Sequence, residues 1–320
     1  MKTKNLLQKI VCAALLLTIL VTFASAHTLI PGGNTIGMRA ETAGLLVTAV
    51  ERDSPASRAG LREGDLLLEA NGETLDRVQT LQTLLASGEP ISLTVQRGDG
   101  TRDVTLTPQR DGETYRVGAF VRDSVAGIGT VTYYDPQTGA FGALGHGVAS
   151  PDGETLLPIT GGVVVPSDVV SVVKSVAGAA GQLQGEFDAD TALGDIRANT
   201  ANGVFGTMQP PDAPAVETAS ADEVRPGAAV ILANLHGTEV RPYDVEIVRC
   251  YDAGGGRDLL LRVTDETLLG ETGGIVQGMS GSPILQDGKL VGAVTHVLVN
   301  QPDMGYGIYV ENMLAASDAA

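Results

Sequence analysis

The sequence predicts a mainly β protein in two modules, a small α+β unit followed by a larger all-β unit. Three observations carry this reading. The chain has 320 residues, enough for about two domains. Glycine, at 41 residues, is close to double its usual share and tryptophan is absent, a composition of tight turns and short strands. Hydrophobic residues make up 43% and charged residues 18%, so the chain buries a core rather than staying disordered.

A formal net charge of −17 repels phosphate backbones and anionic lipid. That argues against nucleic acid as a partner and against polybasic docking on a membrane. In the first 26 residues, Lys2, Lys4 and Lys9 precede an apolar run from Ile10 to Phe23, and Ala24-Ser25-Ala26 has the small-x-small form of a cleavage site. The segment reads as a signal peptide or as a retained N-terminal anchor that keeps the protein at the membrane. In both cases the body is exported. Of the two cysteines, Cys12 lies in this leader, so Cys250 has no internal disulfide partner.

The small module spans residues 35–108, after an exported linker at 27–34. Gly44–Val50 is an apolar strand, and Ser54-Pro55 opens a short helix by N-cap and first-turn logic that closes at Gly60. Leu66–Ala70 is a strand ending in the Asn71-Gly72 turn. Val78, Leu81, Leu84 and Leu85 share one helix face, and Ile91–Arg97 and Thr101–Thr107 form a hairpin around Gly98-Asp99-Gly100. The string SPASRAGLREGDLLLEANGETL resembles a PDZ domain, with Ala-Gly-Leu, Gly-Asp and Asn-Gly in that family's order and spacing. Ile36-Gly37-Met38 sits where PDZ domains carry their carboxylate-binding loop. The resemblance therefore implies that a peptide or protein terminus is capped there by backbone N–H groups while adding a strand beside the helix.

Thr107–Glu113 is a Pro/Gly/Asp-containing joint, and residues 114–316 form the large module. Its apolar runs are Arg116–Arg122, Gly127–Tyr133, Gly162–Pro166, Ala228–Leu232, Asp244–Arg249, Leu259–Thr264 and Lys289–Val299. Bounded by Gly, Pro or Asp, they read as a sandwich or a pair of barrels.

The chemistry candidate is Gly278-Met279-Ser280-Gly281-Ser282-Pro283, which resembles the nucleophile loop of chymotrypsin-like serine proteases. Glycines allow a turn in which the N–H groups of Gly278 and Ser280 converge as an oxyanion hole while Ser280 Oγ faces a carbonyl carbon. A serine nucleophile needs a base, and the histidines are His27, His146, His236 and His296. His27 is at the export junction, His236 is in a loop, and His296 lies inside an apolar strand as a packed residue near the site. His146, in Gly145-His146-Gly147, precedes Ser280 as the histidine of such enzymes precedes the serine. Neither a metal nor another cofactor is expected: no H-E-x-x-H occurs and the histidines lack zinc spacing.

AGIGTVTYYDPQTGAFGALGHGV, ANTANGVFG and TGGIVQGMSGSPILQDGKLVGAVTHVLVNQPDMGYGIYVENML resemble the SpoIVB peptidase family, the sporulation signalling serine peptidases. LIPGGNTIGM and the placement of the PDZ unit match too. The resemblance implies a PDZ domain followed by a chymotrypsin-like double β-barrel. It implies export into the space between mother cell and forespore and self-cleavage near the N-terminus. It also implies cleavage of a membrane-bound regulator of an intramembrane protease, which matures a late sigma factor. It puts the catalytic histidine on His146, the serine on Ser280 and the aspartate on Asp265; the residues alone leave Asp188, Asp190, Asp195 and Asp244 open for the acid. The alternative function is a PDZ adaptor on a silent barrel, binding protein termini without cutting.

Overall fold

The structure is a computed structural model that describes residues 27–151, 153, 155–251 and 256–320. The leader, with its reading as signal or anchor, lies outside the described residues, among which no helix is long and apolar enough to cross a membrane. The chain opens with β1 (Thr28–Pro31), β2 (Thr35–Val50), β3 (Leu66–Ala70), β4 (Glu73–Thr74), β5 (Ile91–Arg97) and β6 (Gly100–Leu106). A small hairpin, β7 (Gln109–Asp111) and β8 (Thr114–Arg116), leads into β9 (Ala119–Tyr134), β10 (Ala140–Ala143), β11 (Ile159–Val173) and β12 (Gln182–Phe187). Then come β13 (Gly194–Thr200), β14 (Gly203–Met208), β15 (Val216–Glu217), β16 (Gly227–His236) and β17 (Glu239–Cys250). β18 (Leu259–Val263), β19 (Pro283–Gln286), β20 (Lys289–Leu298) and β21 (Gln301–Tyr309) end the series, and a helix, Val310–Asp318, closes the chain.

Two six-stranded barrels result, as the sequence predicts, but the first takes one strand, β2, from ahead of the large module. In the first, β9, β10, β14, β13, β11 and β2 pair in that order, and β2 pairs back to β9 to close it. Its core includes Ile36, Met38, Val131, Phe141, Val164 and Ile196. The second closes as β16-β17-β18-β21-β20-β19 around Ile231, Val245, Leu261, Ile284 and Val294.

The PDZ unit is set into the opening hairpin of the first barrel. β2 serves both domains: Thr35–Glu41 pairs with β9 on one side, and Ile36–Thr42 with β11 on the other. Beyond Gly44, the same strand pairs with β3, and the small unit continues through β5 and β6 before the chain returns along β9. Ser54 caps the Pro55–Arg58 helix by accepting from the Ser57 N–H, and the four residues expected on one helix face lie in the helix Val78–Leu85. Asn71 and Gly72 both take positive φ, as the turn requires. Asp65, fully buried, holds Arg97 through two bonds of 2.5 and 2.6 Å, which ties the start of β3 to β5.

Three expectations are corrected here. Ile36-Gly37-Met38 is not a peptide-binding loop: it is mid-strand, and its backbone is paired on both edges inside the first barrel. Gly37 is glycine for a packing reason, since a Cβ there would collide with the Phe187 ring and with Val165. The boundary of the small unit therefore moves from residue 35 to about Gly44. The stretch read as a linker, 27–34, is also structured, with β1 pairing to β15 and β9.

Candidate active site

The serine loop precedes β19 in the second barrel and is fastened to the first by β9. Thr130 donates its N–H to Ser280 O at 3.0 Å and its hydroxyl to Gly278 O at 2.7 Å, and Thr132 Oγ1 donates to Gly281 O. Gly278 and Gly281 take φ of 99° and 97°, a region side chains disfavour. At Gly281 a Cβ would also strike the Thr130 carbonyl. Met279 is fully buried in the second core, which anchors the loop between the two glycines. Among the described residues, the N–H groups of Gly278 and Ser280 have no acceptor, whereas those of Met279, Gly281 and Ser282 are all bonded.

His146 follows β10 in the first barrel. Leu144 and Gly145 both adopt φ of 69°, a sharp turn that releases the imidazole from the strand direction. Leu144, a non-glycine residue in that region, carries strain that the Leu144 N–H to Thr130 O bond offsets. Nδ1 of His146 lies 2.9 Å from Gly147 O. With a carbonyl as partner, Nδ1 carries the proton and donates it, which leaves the Nε2 lone pair free. Burial pushes His146 below its ordinary value of 6.5, the bond to Gly147 partly opposing, so the imidazole is neutral at pH 7.

His146 and Ser280 face one cavity of about 750 Å³ between the barrels. Its wall includes Val125–Ile128 of β9, Asn199 of β13, Ile275–Gly278 and Thr295–Val297 of β20, and among the described residues no Asp, Glu, Lys or Arg side chain is in the lining. Ser280 Oγ donates to Thr295 O at 2.7 Å. The hydroxyl is thus turned to β20, and no hydrogen bond joins it to the imidazole among the described residues. His296 lies with its ring centroid 5.0 Å from that of His146. It is pushed down to about 4, first by desolvation in the cleft and then by His146 and Arg257.

Asp265 is not brought to this cavity. It is the N-cap of the Glu266–Thr272 helix: one oxygen accepts from Leu268 N–H at 2.9 Å and the other faces Asp244 N–H at 3.4 Å. Asp244, its neighbour there, is no better placed. Asn199 is the residue the sequence reading missed. Its side chain accepts from Val148 N–H and donates to Val148 O and Leu157 O, which locks the loop after His146. Nothing local in Arg197–Thr200 marks it for that task.

Known proteins resemble this chain in two places. A family model for the SpoIVB peptidase S55 matches residues 113–314, and a PDZ model matches residues 46–97. A probable periplasmic serine endoprotease, DegP-like, of Chlamydia trachomatis is 40% identical over 73 residues, 22% of this chain. The chain spans only 15% of that relative's length. Among solved structures, the PDZ domain of an SdrC-like protein from Listeria monocytogenes covers 25% of this chain and 90% of its own, at 23% identity and a TM-score of 0.24. An inactive form of Rv3671c from Mycobacterium tuberculosis covers 49% and 83%, at 16% identity and a TM-score of 0.32. The peptidase model alone takes in well over half the chain, including His146, Ser280, the second barrel and every strand of the first except β2. The chain belongs to the SpoIVB peptidase family, with a PDZ domain set into its peptidase fold.

Proposed function

We propose that the protein is an exported serine endopeptidase that cuts a membrane-bound regulatory protein during sporulation signalling and cuts itself near its N-terminus. One observation carries the chemistry: a serine from one barrel and a neutral histidine from the other line the same cavity, uncharged among the described residues. Among the described residues, two unpaired N–H groups stand at the serine. The named substrate, the forespore space and the self-cleavage rest on the family resemblance.

In this reading Ser280 Oγ leaves Thr295 O, a loss of about 1 kcal/mol for one hydrogen bond, and turns to Nε2 of His146. It attacks the scissile carbonyl as His146 takes its proton. The oxyanion is held by the N–H groups of Gly278 and Ser280, and His146 returns the proton to the leaving amine. Water then hydrolyses the acyl-enzyme by the same steps in reverse roles. Gly147 O, not a carboxylate, holds the imidazole tautomer in the arrangement described. The test is purification of the exported chain followed by N-terminal sequencing. The wild type is expected to yield a shortened chain on incubation, and Ser280→Ala an uncut one. An alanine variant that processes itself fully, free of other proteases, overturns the proposal in favour of an adaptor role.

A further inference from the structure

β9 has one long open edge. Between Ala119 and Gly129 it pairs with β2 alone; of its other partners, β10 begins at Val131 and β1 at Tyr133. Thr130 marks the inner end of this edge, since its outward N–H and C=O bond Ser280 O and Leu144 N–H. By the period of two, Ile128, Ala126 and Ser124 present their N–H and C=O on that same outer side. The edge therefore starts at the nucleophile's own backbone. Its first residues, Val125–Ile128, line the uncharged cavity with Ser280 and His146.

The outer end reaches the PDZ helix. Asp123 of β9 accepts from the Val78 N–H, at the start of the Val78–Leu85 helix, whose N-cap Arg77 gives it no side-chain capping bond. Val78, Leu84 and Leu85 pack on the same core as Ala119 and Val121 of β9. A strand edge flanked by a helix is the arrangement that accepts a peptide as an added strand. An unprotected edge of this length is also a feature that folds otherwise avoid.

We propose that the β9 edge from Phe120 to Gly129 is a single track for the protein substrate. It takes an extended segment flanking the scissile bond, with uncharged side chains next to Ser280, and runs about 30 Å to the PDZ helix. This rests on the endopeptidase reading and adds how the substrate is held. One continuous strand, rather than a separate PDZ loop, then links recognition to cutting.

The test uses the full chain and synthetic peptides of about twelve uncharged residues that it cleaves, with a single N-methyl amide moved along the flank. A strand-added flank loses kcat/KM on the order of tenfold at every second position and little at those between, because only alternate amides face β9. In parallel, Ser124→Pro, on the same outer side but outside the cavity wall, removes one outward N–H; cleavage of the long peptide is expected to fall about tenfold, with fluorophosphonate labelling of Ser280 unchanged. A scan without alternation, or a four-residue peptide cut as well as the long one, overturns the track. Should the proline variant not fold, the N-methyl scan on the wild type decides alone. Absence of labelling in the wild type defeats the endopeptidase reading itself, whereas labelling with a flat scan defeats only the track.

Discussion

The second barrel is closed by strands drawn from residues 227–309, whereas the first is closed by β2 and β9, which the PDZ domain separates in the chain. The serine loop belongs to the uninterrupted barrel and His146 to the interrupted one. The two halves of the site therefore depend on different parts of the molecule. Ser280 is held by local strands and by two β9 threonines, while the position of His146 depends on a barrel whose closing pair runs on into the PDZ unit. Damage to the PDZ core should accordingly reach the histidine before the serine loop.

The largest expected effect lies where the two barrels meet. Ser280→Ala or His146→Ala should lower kcat by on the order of 10⁴–10⁶ with the fold intact, read by peptide cleavage beside circular dichroism. Combining the two should cost little more than either alone, because they act as a unit. Full additivity would break the pairing.

Next is Asp65→Ala in the PDZ unit, which strips a buried carboxylate from Arg97 and from the Arg62 N–H. A loss of about 3 kcal/mol is expected in urea unfolding. Hydrogen exchange should quicken in β2, β3, β5 and β9 and stay unchanged in β16–β21. Uniform quickening across both barrels would contradict the asymmetry. In the first barrel, Gly37→Val should destabilise by about 1–3 kcal/mol through its clash with Phe187 and Val165, detectable as a lower Tm. An unchanged Tm would return Ile36–Met38 to a loop role.

What the sequence made legible follows the same division. The bounds of β5 and the existence of the Val78–Leu85 helix follow from local spacing, and the glycines around Ser280 are demanded by local φ. Thr35–Thr42 alternates in the same way whether it is a PDZ edge or a barrel strand. Its pairing with β11, more than 110 positions away, decides which, and no local pattern encodes that. Asp265 is instructive in the opposite sense. Asp-Glu-Thr before Leu268-Leu269 is an ordinary helix start, and the N-cap signal was present to be read.

Smaller effects sharpen the account. Since only the neutral imidazole accepts the serine proton and burial lowers its pKa, kcat/KM should be flat near pH 7 and fall on the acid side with a midpoint below 6.5. A midpoint above 6.5 would mean that a carboxylate faces His146 during turnover. Asp265→Asn keeps an N-cap side chain, so stability should change by less than about 0.5 kcal/mol and cleavage by only a few-fold. A loss of thousands-fold would return Asp265 to the triad.

The central claim is that a histidine of the first barrel activates a serine of the second. Its most direct measurement is the rate of fluorophosphonate labelling, mapped by mass spectrometry, in wild type, Ser280→Ala and His146→Ala across pH 4–9. The account predicts a single label on Ser280, absent from Ser280→Ala, at least a thousandfold slower in His146→Ala, and rising through a pKa below 6.5 in the wild type alone. A label on another serine, or equal rates with and without His146, would contradict it.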